Sequence, residues 1–459
     1  MVSNIVTRSL ERMRSIISWG GKSEAQLEAH DLDRLRAQMR ECAEGTGGEV
    51  TTRQRAARLA HTYLELDDDA RHAFLRMIAL EFGPDPKRVA QAHAAYQDKV
   101  GTPEQWDAEA RLRGAMRSQR IRILTQFNAI PAGVKFLVDL RADLLRFLKD
   151  DPELKALDRE LEARLNAWFD VGFLELRRIT WESPAALLEK LVQYEAVHEI
   201  RSWKDLKNRL DTDRRCYAFF HPRMPLEPLI FVEVALVDDL ADNVQKLLDE
   251  MAPVADNARA NTAIFYSISN TQVGLRGVSF GNFLLKRVVD DLKRDLPGLK
   301  QFATLSPIPR LKDWVRAHPE ALAEAFTEAD WKKLAPFGID GPESAGFKAL
   351  LDDACPWLEQ PGLPAALNAP LMRLAARYLC HAKSRGAPFD PVARFHLGNG
   401  ARIERLNWMG DTAAKGMAQS FGLMVNYLYD PDRIEANVEA FVADGTIAAS
   451  GPIKRLAKV

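Results

Sequence analysis

From about Ala25 to Leu174 the apolar residues recur at helical spacing, and no stretch alternates as a half-buried strand must. Leu137, Leu140, Leu144, Phe147 and Leu148 form one apolar stripe, and Leu154, Leu157, Leu161 and Leu165 form another. Helix starts are punctuated as the missing backbone partners of a first turn require. Thr102-Pro103-Glu104-Gln105 reads as an N-cap, a first-turn proline and a capping-box glutamine, and Asp151-Pro152 opens the next helix. His61, His72 and His93 lie on these helices without paired ligand spacing. A helical bundle with a structural or oligomeric role is the expectation for residues 1–168.

After Trp168 the pattern changes. Arg215–His221 and Pro228–Val237 are runs rich in β-branched and aromatic residues, separated by a turn holding Pro222 and Pro225. A helical stretch with Val244, Leu247 and Leu248 precedes another strand-like run, Thr262–Ile268. A glycine-bearing loop then leads into a helix from Asn282 to about Asp295, with Leu285, Val288, Val289 and Leu292 as its buried face. The short run Phe302–Leu305 follows, and Leu311 to about Arg385 is again mostly helical. Val392–Leu397 and Arg402–Trp408 read as two strands joined through Gly398-Asn399-Gly400, because an Asn-Gly pair suits a type I′ hairpin. Strands mixed with helices make residues 169–459 an α+β domain with a helical insertion.

Bulk properties remove several functions. With 63 basic against 64 acidic residues the formal net charge is −1, so no long-range field draws nucleic acid or anionic lipid to the chain. Cys42, Cys216, Cys355 and Cys380 form no C-x-x-C pair, which leaves a zinc ribbon or a redox centre without support and suits a reducing compartment. No stretch reaches the roughly 18–20 apolar residues of a membrane span. The first residues carry a basic amphipathic pattern (Val6, Leu10, Met13, Ile17 among Arg8, Arg12 and Arg14); Glu11 and the Gly20-Gly21 stop favour a packing helix over a presequence.

Three segments carry candidate chemistry. Arg276-Gly277-Val278-Ser279-Phe280-Gly281-Asn282 lies between a strand and a helix. Small residues there let the backbone approach a phosphate, and a helix N-terminus offers free N–H groups and positive potential. Arg276, Lys286 and Arg287 add point charge. A glycine turn before a helix is also often only a turn. Ser306, in Thr304-Leu305-Ser306-Pro307-Ile308-Pro309, follows a strand and precedes two prolines, a rigid setting in which its hydroxyl either faces a cleft or caps a loop. No G-x-S-x-G elbow accompanies it. His396, in Phe395-His396-Leu397-Gly398-Asn399-Gly400, is placed by the expected hairpin near the edge of the domain. Its ordinary pKa of about 6.5 suits proton transfer. His221 competes with it on equal terms.

The spacing Arg276, Ser279, Gly281 is similar to the Q/R-x-x-G-x-G/A loop with which the GNAT acetyltransferase superfamily binds the coenzyme A pyrophosphate, with Ser279 standing where glycine is usual. Further segments in order, among them His221–Pro228, Phe231–Leu236, Phe265–Ser269, Gly281–Val288, Leu305–Pro309, Phe395–Ala401, Asn407–Met409 and Gly422–Tyr427, resemble the malonyl-CoA decarboxylase family. The resemblance covers most of the chain after Trp168, and the helical region before it fits the family's N-terminal domain.

That resemblance implies a GNAT-like catalytic domain behind a helical one, malonyl-CoA as substrate, and acetyl-CoA and CO2 as products. It implies that Ser306 and His396 stand at the family's catalytic serine and histidine, and Arg276–Asn282 at its substrate-binding loop. No cofactor or metal is implied, since the thioester is itself the electron sink. A homo-tetramer in a bacterial cytoplasm, without nucleic-acid or membrane partners, is the expected setting. The expected chemistry is proton delivery by a protonated His396, with Ser306 polarising or relaying. Two rivals remain: a GNAT-type acetyltransferase, which would release free thiol, and a non-catalytic binder of malonyl-CoA.

Overall fold

The structure is a computed structural model, and it describes residues 29–45, 48–278 and 283–458. The basic amphipathic segment Val6–Ile17 lies outside the described residues, as do Ser279, Phe280, Gly281 and Asn282. The chain divides into two compact units. One is built on residues up to Glu175, joined by the described parts of two later segments, Phe220–Leu229 and Asn270–Phe280; the other holds the rest. Among the described residues no helix is long and apolar enough to cross a membrane.

The first unit is helical, as the spacing predicts. Its helices include Asp68–Glu81, Gln119–Ala129, Gly133–Phe147 and Lys155–Trp168. Leu137, Leu140 and Leu144 of one stripe and Leu154, Leu157, Leu161 and Leu165 of the other are all fully buried. Each such leucine contributes about 2 kcal/mol by leaving water. Aromatic rings fill the space between: Tyr63 packs on Phe74 and Phe136, and Phe127 on Phe136. Asp151 accepts from the Glu153 N–H and opens the 3-10 turn Pro152–Leu154 that runs into Lys155–Trp168. The expected capping box at Thr102 does not form. The helix starts only at Gln105, whose side chain accepts from the Gly101 N–H (2.8 Å), while the Thr102 hydroxyl donates to the Lys99 carbonyl (2.8 Å).

The second unit carries a mixed sheet. Its strands are β1 (Glu175–Ile179), β2 (Arg214–Phe220), β3 (Pro228–Val237), β4 (Thr262–Asn270), β5 (Gln301–Thr304) and β6 (Ser306–Pro307). A separate two-stranded ribbon, β7 (Lys383–Ser384) and β8 (Ala387–Pro388), precedes β9 (Arg402–Asn407) and β10 (Met424–Leu428). The order is β1-β2-β3-β4-β5-β10-β6, with β9 also on β10. β4 and β5 run parallel, Thr262 opposite Gln301 and Phe265 opposite Thr304, while β10 is antiparallel to β5, β6 and β9. A parallel pair needs a crossover, and the helix Phe283–Asp295 supplies it. Its expected inward face, Leu285, Val288, Val289 and Leu292, is buried throughout. On the sheet, Ala235, Ile264, Tyr266, Ala303, Leu305 and Met424 close into one apolar cluster with Val244 and Leu247.

One expected element has the wrong type. Val392–Leu397 is not a strand but the middle of a helix, Pro391–Gly398, and there is no hairpin to Arg402. The helix starts because Asp390 accepts from the N–H groups of Val392 (2.9 Å) and Ala393 (3.0 Å) ahead of a first-turn proline. It stops at Asn399 and Gly400, whose φ of +83° ends the helix instead of turning a hairpin.

Candidate active site

Ser306 owes its position to the way β10 changes partners. Leu428 pairs with Ala303 of β5, while Val425 and Met424 pair with Ser306 and Pro307 of β6. The chain steps between the two short strands at Leu305, whose N–H still bonds to the Phe265 carbonyl (3.0 Å). Pro307 is tolerated because β6 ends the sheet order and has no second neighbour to supply with an N–H. Thr304 and Asn426 close the seam. The Thr304 hydroxyl accepts from the Tyr427 N–H (3.2 Å). The Asn426 amide donates to the carbonyls of Thr304 (2.7 Å) and Ala241 (3.0 Å), and its oxygen accepts from Asn407 (2.8 Å) and Arg405 (3.1 Å). All four hydrogen-bonding positions of a fully buried amide are therefore used, which pins the seam.

His396 comes from the last turn of the helix Pro391–Gly398, so it is not beside a hairpin, and it is buried at 3% exposure instead of lying at the edge of the domain. Its Nε2 is 3.2 Å from the Ser306 hydroxyl, across 90 residues of sequence. Its Nδ1 is 2.8 Å from the Tyr429 hydroxyl. Tyr427 stacks beneath the imidazole, ring centroids 4.6 Å apart at 24°. The Ser306 hydroxyl is also 2.8 Å from that of Thr304. Tyr427 of β10 and Tyr429, one residue beyond its end, both meet the imidazole.

The result is a linear chain, Tyr429–His396–Ser306–Thr304, in which the Ser306 hydroxyl donates to Thr304. Ser306 then accepts from Nε2–H, and Nδ1 accepts from the Tyr429 hydroxyl. The arrangement is complete with an uncharged imidazole. That matters because burial pushes the His396 pKa down to about 3, so the ring is neutral near neutral pH unless an anion is brought beside it. The protonated imidazole expected from the sequence is thus not the resting form. Burial also raises the Tyr429 hydroxyl well above its usual range, which leaves it a donor or acceptor and not a phenolate.

The alternative histidine is structural. His221 Nδ1 accepts from the Arg223 N–H (3.1 Å), so Nε2 carries the proton it donates to the Trp168 carbonyl (3.1 Å), and Phe169 covers the ring. Both nitrogens are spent on backbone.

In the first unit, the loop residues Arg276 and Gly277 are exposed and Val278 is buried. Arg276 follows the 3-10 turn Val273–Leu275. Arg276 (φ −57°, ψ 129°) and Gly277 (φ +85°) are the central pair of a type II turn closed by Val278 N–H to the Leu275 carbonyl at 3.0 Å. Ser279, Phe280, Gly281 and Asn282 fall outside the described residues. Lys286 is exposed, 3.7 Å from Glu435, and the Arg287 guanidinium lies over the Phe219 ring. Among the described residues no group of three or more His, Cys, Asp or Glu side chains is placed to hold a metal ion.

Sequence reasoning missed Thr304, Tyr427 and Tyr429 as members of the site. Only the alternation Tyr427-x-Tyr429 could have hinted at a shared face, and nothing local says which histidine that face meets.

Known proteins give a consistent picture. Residues 82–169 match a family model described as malonyl-CoA decarboxylase N-terminal domain, and residues 172–459 match the one described as malonyl-CoA decarboxylase C-terminal domain. The mitochondrial malonyl-CoA decarboxylase of Anser anser anser is 39% identical over 414 residues, covering 86% of this chain and 82% of that protein. The crystal structure of malonyl-CoA decarboxylase from Rhodopseudomonas palustris is similar at a TM-score of 0.83 and 40% identity, over 92% of this chain and 99% of that one. The crystal structure of malonyl-CoA decarboxylase from Cupriavidus metallidurans gives 0.71 and 44%, over 93% and 100%.

Proposed function

The chain belongs to the malonyl-CoA decarboxylase family, and on that premise we propose how its own residues take CO2 from malonyl-CoA. The enzyme is a carboxy-lyase whose products are acetyl-CoA and CO2. The bond from the α-carbon to the carboxylate breaks, its electron pair passes into the thioester as an enolate, and one proton is taken up at the α-carbon. The barrier lies in placing negative charge on the thioester oxygen. One well-placed donor there lowers it by ~3–4 kcal/mol. Because the thioester accepts the electrons, the route draws on no cofactor or metal.

Ser306 and His396 carry the carbon chemistry in this reading. The single observation behind it is the 3.2 Å contact between the Ser306 hydroxyl and His396 Nε2. His396 is neutral when the site is empty, and the carboxylate of malonyl-CoA raises its pKa by favouring the charged ring. The proton taken up on binding is the one the reaction consumes. His396 returns it to the α-carbon, directly or through Ser306, while Tyr429 and Thr304 at the two ends of the chain supply and absorb the compensating hydrogen bonds. The loop Arg276–Asn282 takes the nucleotide phosphates. Arg276 contributes charge, and Gly277 lets the backbone come close.

Assembly as a homo-tetramer in the cytoplasm completes the reading. Large apolar side chains left in the open on the helical unit support an oligomer, Trp106 at 73% exposure foremost.

Steady-state turnover and binding of malonyl-CoA by His396→Ala and Ser306→Ala test the assignment. His396→Ala is expected to lower kcat by roughly 10²–10⁴-fold, the contribution of one placed acid or base, with little change in substrate Kd. Ser306→Ala is expected to act in the same direction. Wild-type turnover in either variant removes that residue from the mechanism.

A further inference from the structure

In the helical unit one buried cation ties the turn at Gly277 to a neighbouring helix. Arg141, on the helix Gly133–Phe147, is 2% exposed. One guanidinium nitrogen, Nη1, donates to the carbonyls of both Gly274 (2.9 Å) and Arg276 (2.6 Å). Nε donates to Asp158 (2.9 Å), and Nη2 lies 3.4 Å from Glu162. The two carboxylates, both on the helix Lys155–Trp168, hold the fork in place while its free edge grips the loop. Two glycines allow the approach. A Cβ on Gly274 would lie 1.8 Å from the Val138 carbonyl oxygen, and one on Gly277 would lie 2.4 Å from Glu162 Oε1.

The grip on the Arg276 carbonyl fixes more than position. In a trans peptide the N–H points opposite to the C=O, and among the described residues there are no cis bonds. With the Arg276 carbonyl turned to Arg141, the Gly277 N–H faces away from the guanidinium. Gly277 is exposed, and among the described residues its N–H has no acceptor. An oriented, unpaired amide beside an exposed arginine is what an anionic oxygen binds.

We infer that Arg141 is a positioning residue for phosphate binding: it sets the Arg276–Gly277 peptide so that the Gly277 amide is presented to the nucleotide phosphates of the acyl-CoA substrate. The inference rests on the proposed role of the loop. It gives the helical domain a part in substrate recognition and not only in assembly.

The test compares malonyl-CoA with malonyl-pantetheine, which lacks the nucleotide phosphates, on wild type, Arg141→Lys and Gly277→Ala. Lysine keeps the charge but has no planar fork with which to hold two carbonyls and two carboxylates. In Arg141→Lys the KM for malonyl-CoA is expected to rise about tenfold or more, the factor for one lost charge-assisted hydrogen bond. Its kcat stays within about twofold of wild type, and kcat/KM for malonyl-pantetheine stays unchanged, because only binding to the nucleotide end is touched. If Arg141→Lys does not fold, Gly277→Ala carries the test, since its methyl group meets Glu162 and turns the same peptide, and a raised KM for malonyl-CoA is the expected result. Equal losses on both substrates, or an unaltered KM for malonyl-CoA, overturn the positioning role. A wild type that decarboxylates neither substrate overturns the decarboxylase reading itself, and a wild type equally efficient on both overturns the phosphate role of the loop.

Discussion

Five side chains meet in the candidate active site, and each limits the next. His396 has an acceptor or donor at both nitrogens, Ser306 at Nε2 and Tyr429 at Nδ1, and a ring stacked on its face. Its tautomer is therefore set by the chain as a whole, not by solvent. Removing the Tyr429 hydroxyl leaves Nδ1 buried with no partner, a cost of about 1–3 kcal/mol that falls on whichever tautomer needs it. Tyr429→Phe is expected to lower kcat roughly ten- to a hundredfold with KM for malonyl-CoA nearly unchanged. An unaltered kcat in that variant would show that the imidazole does not depend on the tyrosine. Ser306 and His396 were singled out in the sequence as candidates, and only the family resemblance favoured His396 over His221. Their partners were not. Thr304 ends β5 and Tyr429 lies one residue past β10, ordinary positions whose importance comes from the two-part pairing of β10, and a bond spanning 123 residues leaves no local mark.

The elements show where pattern reading succeeds. The helix Phe283–Asp295 was legible because four apolar residues at 3.6-residue spacing admit one buried face. β2 to β5 were legible because β-branched and aromatic runs between turns suit a buried sheet. The helix Pro391–Gly398 was misread, although Asp390-Pro391 repeats the start signal that Asp151-Pro152 carries correctly. A run of six residues is too short for its apolar period to choose between helix and strand, and the Asn-Gly pair after it pointed to a hairpin. The cap decides. Asp390, 2% exposed, takes two backbone N–H groups and the Tyr378 hydroxyl (3.2 Å). Asp390→Ala is expected to cost about 1–2 kcal/mol of stability, read as a lower midpoint in a urea titration. Because that helix carries His396, kcat is expected to fall with it, and a stable, fully active variant would detach the cap from the site.

On the scale of the whole molecule, the change from helical to mixed periodicity near Trp168 was the clearest signal in the chain, and the family matches at residues 82–169 and 172–459 lie on either side of it. What periodicity could not supply was the described part of the segment Asn270–Phe280 joining the helical unit after a strand of the sheet. Gly274 and Gly277 carry that information only once Val138, Arg141 and Glu162 are seen against them. The most direct check on the central claim is mass analysis of malonyl-CoA incubated with the purified protein in D2O, with and without a chelator, alongside a free-thiol assay. Acetyl-CoA carrying one deuterium from solvent, no released thiol and no effect of the chelator is the predicted result. Untouched malonyl-CoA, or thiol released in step with its consumption, would contradict it.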